Sequence, residues 1–204
     1  MKINRIINVT IISGILLCAG AIAAENEVLD INGGFEEEAS SRNGIVGKWR
    51  AFGDGKQPVP LTTTEVHGGA QALMLTMSDA TEIHQHSGVE YHVDPTLLTA
   101  GDVLEFSAYV FQKETVPPGS RVSLSLSICG PNWEPKADVN LKVPNTVGDW
   151  LHVMDALTIP PEFDSAWHVK IVATTVWNDS PPASPVEIYV DDISLTIQRD
   201  KKAK

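Results

Sequence analysis

The sequence is poor in cysteine, with only Cys18 and Cys129 among its 204 residues. Two cysteines cannot form the disulfide framework that holds many small exported domains together. Cys18 lies in an N-terminal stretch that we expect to be removed, which leaves the mature chain with one thiol and no internal disulfide. We expect Cys129, which follows Ile128, to be a buried apolar residue and not a nucleophile. Stability must therefore come from packing or from a bound metal.

Basic residues are scarce as well, since 15 Lys and Arg face 26 Asp and Glu for a net charge of -11. Binding to a phosphate backbone requires clustered Lys and Arg, so nucleic acid is excluded as a partner. A hydrophobic fraction of 43% argues against intrinsic disorder, while 15 Gly and 13 Pro indicate many turns. A chain of this length is sufficient for one domain of ordinary size, so we do not expect a multi-domain enzyme.

Common catalytic motifs are missing: there is no G-x-S-x-G elbow, H-E-x-x-H helix, C-x-x-C pair or phosphate loop. We therefore expect a protein that is not an enzyme. One segment points the other way, because His84, His86 and Glu90 have the spacing of the first metal-binding motif of cupins. The second cupin motif would need a histidine where Val122 stands. A cupin-like metalloenzyme is kept as a lesser alternative.

The N-terminus has the three parts of a signal peptide. Lys2 and Arg5 precede an apolar run at 11–20, and Ala21-Ile22-Ala23 follows with small residues suited to signal peptidase. Polar residues interrupt the run and leave it short for a spanning helix. We predict a signal peptide at 1–23, an exported protein (periplasmic, extracellular or cell-surface) and no membrane span in the mature chain. Lipid modification of Cys18 is the alternative.

Period-two alternation dominates the rest of the chain. Apolar residues alternate with small polar ones at 122–129, and 104–111 alternates in the same way. Further strands are predicted at 59–66, 71–77, 82–93, 151–159, 168–177 and 186–198, separated by Gly- and Pro-rich turns. About ten strands without helices between them predict an all-β fold, a two-sheet antiparallel β-sandwich or jelly roll, over 25–198. Residues 199–204 are predicted to form a charged tail.

The last predicted strand changes phase at Asp191-Asp192. Apolar residues at 186, 188 and 190 share one parity, whereas those at 193, 195 and 197 share the other. A β-bulge at this point would keep both halves on the buried face and would place two adjacent carboxylates in the sheet. Such a pair needs a cation or hydrogen-bond donors. A strand that ends in a solvated acidic turn is the alternative.

Five segments in order resemble a known family. They are Ile31-Asn32-Gly33-Gly34-Phe35-Glu36 with Trp49, then 66–75, 98–108, 148–153, and Ile188-Tyr189-Val190-Asp191-Asp192-Ile193-Ser194-Leu195. Together they resemble the carbohydrate-binding modules of families 4, 9 and 22, which are galactose-binding-like jelly rolls. The resemblance implies a structural calcium between the opening and closing strands, with Glu36 and one of Asp191 or Asp192 as carboxylate ligands. It also implies that Trp49 and Trp150 belong to the core.

Carbohydrate is the partner that the resemblance implies. Sugar recognition needs a flat aromatic face and a few oriented polar groups in a groove. The predicted ligand-binding residues are Trp133, Trp177, Tyr109, His84, His86 and Glu90. Packing under a loop is the alternative role of each aromatic residue, and an aromatic content of 6% makes for a small platform.

Two functions are therefore open. The first is a secreted, non-catalytic, calcium-stabilised protein that binds a poly- or oligosaccharide in a groove of the sandwich. The second is a structural or adhesion module that contacts another exported protein.

Overall fold

A computed structural model of the chain describes residues 25–38, 44–52, 61–77, 88–177 and 185–199. The predicted signal peptide, His84 and His86 lie outside these ranges. The strands are β1 Glu25–Val28, β2 Gly44–Val46, β3 Trp49–Ala51, β4 Leu61–Thr62, β5 Ala72–Met77, β6 Gly88–Val93, β7 Val103–Gln112, β8 Ser120–Cys129, β9 Pro135–Asn140, β10 Leu151–Thr158, β11 His168–Trp177 and β12 Val186–Arg199. A short 3-10 helix spans Pro95–Leu97. No helix in the described ranges has the length and apolar character needed to cross a membrane.

The strands form two antiparallel sheets, which confirms the predicted sandwich. Sheet I has the order β10-β7-β12-β5-β4, and β1 also pairs with β12. Sheet II has the order β2-β3-β6-β11-β8-β9. Sequence neighbours are thus distributed between the sheets, as in a jelly roll, and the pairing of β1 with β12 brings the first and last described strands together in sheet I.

The core lies between the sheets and follows from the alternation. In β8, Val122, Leu124, Leu126 and Ile128 are at most 5% exposed, because every second side chain of a strand faces the same side. Each such side chain contributes about 1.5–3 kcal/mol by leaving water. The intervening serines face outward on sheet II. Cys129 is a free, buried thiol, as expected.

Trp49 fixes the opening segment to this core. Its side chain is fully buried, and its ring lies 5.5 Å from that of Phe35 and 5.3 Å from that of Tyr91. The indole Nε1–H donates to the carbonyl oxygen of Ile31 at 2.8 Å, so the polar atom is satisfied inside the core. The predicted core role of Trp49 is confirmed.

Trp150 differs from the expectation. It is only partly buried and lies on the outer face of sheet I, where its ring centroid is 5.6 Å from both Phe111 and His67. The cause is parity. Val153 of β10 is buried, so Trp150 falls on the opposite side of the strand, the side of exposed His152 and Met154. The prediction of Trp150 as a core residue was wrong.

The predicted β-bulge in β12 is present. The pairing of β12 with β7 shifts register between Asp191 and Ser194, and Asp192 has a positive φ of 47°. Asp tolerates this left-handed conformation better than most residues. The shift returns Ile193, Leu195 and Ile197 to the buried face.

Candidate functional site

Three carboxylates meet where the opening segment contacts the bulge. A Cβ built on Gly34 would stand 3.4 Å from Asp192 Oδ1, 3.8 Å from Glu36 Cγ and 4.0 Å from Asp191 Oδ1. Asp191 is fully buried, whereas Glu36 and much of Asp192 are open to solvent. The residues implied by the family resemblance are therefore neighbours in space.

Backbone amides donate hydrogen bonds to two of these carboxylates, Glu36 and Asp191. Glu36 accepts hydrogen bonds from the amides of Ala70 and Gln71 at 2.8 and 3.0 Å. Asp191 accepts from His67, Gly68 and Asp192 at 2.8–3.1 Å. Burial nevertheless raises the pKa of Asp191 above its ordinary value, and these three amides only partly offset that cost.

The donor set fits calcium in its chemistry, since calcium prefers several oxygen ligands in irregular geometry. The geometry is that of a hydrogen-bonded cluster: within the described ranges, no three His, Cys, Asp or Glu side chains are grouped as a metal site. Asp192 Oδ2 is also paired with His67 Nδ1 at 2.7 Å. A calcium ion held by Glu36, Asp191 and Asp192 stays a prediction.

A groove of about 410 Å³ crosses the outer face of sheet II, whereas Asp191 and Asp192 belong to β12 of sheet I. Its floor is made of small side chains on the neighbouring strands β8 and β11, which pair in register. The lining residues are Phe52, Ser123, Ser125, Ser127, Lys170, Val172, Thr174 and Val176. Small residues leave room above a sheet, so the serine alternation in β8 produces the depression itself.

Trp133 stands beside the groove in a strained, exposed position. It is 48% exposed, and its backbone has a positive φ of 65°, which is uncommon for a bulky residue. The turn that holds it is closed by hydrogen bonds from Trp133 N to Gly130 O and from Gly130 N to Glu134 O, both 2.9 Å. Backbone strain of this kind persists where the surrounding structure enforces it, and it clusters at functional sites.

Neighbouring side chains also hold the Trp133 ring in place. It stacks on His168 with 3.9 Å between ring centroids and 2° between planes, and the edge of His92 meets it at 6.0 Å. The Lys170 ammonium lies 5.4 Å from its centroid and 5.5 Å from that of Phe52. The Lys170 ammonium thus lies within 5.5 Å of the ring centroids of both Trp133 and Phe52.

Glu90 shares this face. Its carboxylate lies 3.2 Å from His92 Nε2 and 3.9 Å from Lys170 Nζ. An ammonium at that distance is a poor neighbour for a metal cation, which weighs against a cupin-like centre built on Glu90. Glu90 and Trp133 are the two predicted ligand residues that the structure brings together.

The other predicted ligand residues do not join them. Tyr109 was expected on the groove but lies on the outer face of sheet I, stacked on His67 at 3.5 Å and close to His152 at 4.7 Å. The alternation correctly placed Tyr109 on the outward-facing side of β7, but β7 belongs to sheet I and the groove lies on sheet II. Trp177 ends β11 with its backbone paired to Ser120, and its side chain lies outside the described residues, as do His84 and His86.

Sequence reasoning missed Lys170, His168 and Phe52. The signal was available for the first two, because His168 and Lys170 alternate with the buried residues Val169 and Ile171 in β11. Their parity marks the outer face of a strand. Pairing of β11 with the serine face of β8 is what places them over the groove, and that pairing is not written in the alternation.

No protein-family model matches the sequence, and no curated protein matches it. Solved structures do. The tandem family 22 carbohydrate-binding modules, CBM22-1 and CBM22-2, of Paenibacillus barcinonensis Xyn10C match with a TM-score of 0.50 and 21% identity, over 76% of this chain and 47% of that one. The chain shares the two-sheet β-sandwich fold of those modules.

Two further structures are similar. A family 16 carbohydrate-binding module matches with a TM-score of 0.48 and 19% identity, over 70% of this chain and 88% of that one. The enzymatically active domain of tailspike protein 4 of bacteriophage CBA120 matches with a TM-score of 0.51 and 14% identity, over 80% of this chain and 20% of that one. At such identities the likeness establishes the fold, and a ligand has to be argued from this chain's own residues.

Proposed function

We propose that this chain is a non-catalytic module that binds a poly- or oligosaccharide in the groove of sheet II. The observation that carries the proposal is Trp133, an exposed tryptophan that a closed turn holds in a left-handed conformation at the edge of the groove. An exposed, immobilised indole presents a flat apolar face at small entropic cost. That is what the C–H side of a sugar ring packs against.

The groove also contains side chains that can form hydrogen bonds with the hydroxyl groups of a sugar. Ser125 and Ser127 line the floor, whereas the hydroxyls of Ser123 and Thr174 already donate, to Asn140 Oδ1 at 3.2 Å and to Thr175 O at 3.3 Å. Small hydroxyl groups both donate and accept, which suits the hydroxyl pattern of a saccharide. Small hydroxyl side chains with Phe52 in the lining and Trp133 beside Lys170 make a composition typical of a sugar site.

The same lining argues for binding without catalysis. Glycoside hydrolysis needs two carboxyl groups that flank the scissile bond. None of the described residues that line the groove is Asp or Glu, and Glu90 beside it is engaged by His92 and Lys170. The groups present can hold a sugar but do not form an acid and base pair.

Export and calcium belong to the same proposal. The signal peptide predicted at 1–23 would deliver the module to a compartment where polysaccharides are found. A calcium ion at Glu36, Asp191 and Asp192 would neutralise the carboxylates where both ends of the domain meet. It would act on stability, because these residues lie on sheet I and its adjoining loops and not on the groove.

A second candidate function rests on the outer face of sheet I. There His67, Tyr109, Trp150 and Phe111 form a continuous aromatic cluster, with Met154 53% exposed on the neighbouring strand. Aromatic residues and Met are enriched in protein–protein interfaces. Contact with another exported protein through this face is the alternative to sugar binding.

Titration of the purified chain with a panel of plant, algal and bacterial oligosaccharides, followed by tryptophan fluorescence and calorimetry, tests the proposal. Binding should be weakened by Trp133→Ala and not by Trp150→Phe, which alters a tryptophan on the opposite sheet. Absence of binding across the panel would favour the protein-contact alternative.

A further inference from the structure

We infer that the saccharide held in this groove is acidic, with a carboxylate or sulfate group that pairs with Lys170. The inference rests on the proposed function and names the class of its ligand. It follows from the charges on the outer face of sheet II and from the surroundings of the Lys170 ammonium.

The outer face of sheet II is positive in an acidic protein. Arg50 pairs in register with Glu90, Arg121 with Val176, and Lys170 with Ser127, which itself pairs with Asp138. Residues paired across strands face the same side. Among these paired residues of the described strands there are three cations, Arg50, Arg121 and Lys170, against two carboxylates, Glu90 and Asp138, although the whole chain has a net charge of -11.

Lys170 is held at the centre of that face. Its side chain is only 22% exposed, and its ammonium lies 5.4 Å from the ring centroid of Trp133 and 5.5 Å from that of Phe52. The ion pair that it makes among the described residues, with Glu90 Oε2, is long at 3.9 Å. Glu90 is shared with His92 at 3.2 Å, so the single carboxylate beside Lys170 is not dedicated to it. The ammonium retains capacity for an anionic partner.

When a ligand binds, the Lys170 ammonium should favour an anionic saccharide over a neutral one. A neutral sugar laid across the groove would remove water from the ammonium and replace it with hydroxyl groups only, which leaves part of the desolvation cost uncompensated. An anionic substituent would replace that water with a charge-assisted hydrogen bond. Arg50 and Arg121 would add attraction at longer range, which salt would screen.

The test compares matched ligands on the full chain. Oligogalacturonate and its methyl ester differ in charge at the same carbon, a sulfated galactan oligosaccharide supplies the alternative anion, and xylo-oligosaccharides supply a neutral control. The acidic ligand is expected to bind about 10- to 100-fold more tightly than its ester, the range for a hydrogen bond to a charged group. Its affinity should fall between about 50 and 300 mM salt, whereas that of neutral ligands should not. Preference for the sulfated ligand over the uronate would assign sulfate as the anion.

Three variants test whether Lys170 is the residue that binds the anionic group. K170M should reduce the affinity for the acidic ligand to that for the neutral ones, and E90Q should increase it, a gain that damaged folding cannot produce. K113M removes a lysine on the opposite sheet, where it pairs with Glu65, and should change neither affinity. Equal binding of acid and ester, or equal weakening of both by K170M, would overturn the inference and leave sugar binding intact. Absence of binding to every saccharide by the folded chain would overturn the proposed function and the inference with it.

Discussion

Gly33 joins the two ends of the domain, and its replacement by alanine should be costly. A Cβ at this position would lie 1.7 Å from the carbonyl oxygen of Ile193 and 2.6 Å from its carbonyl carbon. Both are backbone atoms of the bulge in β12, so no side chain can rotate away. The opening segment would have to retreat, which would also break the 3.0 Å hydrogen bond from Ile193 N to Gly33 O.

The magnitude follows from these two effects. Overpacking costs about 1–3 kcal/mol, and the lost backbone hydrogen bond adds about 1 kcal/mol. A loss of about 3 kcal/mol in a domain of this size lowers Tm by roughly 6–12 °C. Thermal and urea unfolding followed by circular dichroism would measure it.

Gly34→Ala is the matched control for Gly33→Ala. The added Cβ would meet its nearest neighbour, Asp192 Oδ1, at 3.4 Å, an ordinary contact distance, so a small change in Tm is expected. A Gly33→Ala variant with a Tm within about 2 °C of the unaltered chain would refute the close approach of the opening segment to the bulge.

Three further predictions concern metal, pH and strain. Calcium at about 100 times its Kd should stabilise the chain by about 2.7 kcal/mol and therefore raise Tm by roughly 5–10 °C. Chelator or the substitution Asp191→Asn should abolish this rise. Equal Tm values with and without calcium would contradict the site. The Thr96 hydroxyl and then its amide, both bonded to Asp94, hold the pKa of that carboxyl below its ordinary 3.8, so Asp94 contributes stability at neutral pH that is lost as pH falls through the lowered pKa. Thr96→Val should move that pKa back towards 3.8 in an NMR titration, and an unchanged value would count against the bond. Trp133→Gly should relieve the left-handed strain and leave Tm unchanged or higher; a marked fall in Tm would show that the indole serves packing instead.

Much of the fold was predictable from the sequence because alternation is a local signal. The alternation of β8 and β7 and the phase change at Asp191-Asp192 were each sufficient to place strands and a bulge, and the structure confirms them. The alternation along β10 was also sufficient to place Trp150 on the outward-facing side, which it shares with His152. The expectation of a buried tryptophan came from the family resemblance and outweighed the local pattern.

The candidate groove was less predictable, because it depends on which strands pair. Tyr109 and Trp133 both had the features of a sugar-contacting residue, yet β7 lies in sheet I while Trp133 follows β8 of sheet II. Lys170 became visible as a groove residue only when β11 was placed beside β8. The left-handed turn at Trp133 likewise depends on hydrogen bonds between Gly130 and Glu134 that composition does not reveal.

Titration of the unaltered chain and of Trp133→Ala with the same saccharides would measure directly whether the groove binds sugar through the Trp133 indole. At least one saccharide of the panel should bind, and loss of the indole should weaken this binding by about 2 kcal/mol, roughly thirtyfold, with Tm preserved. Binding that is equally strong in Trp133→Ala, or no binding to any saccharide by the folded chain, would contradict this expectation.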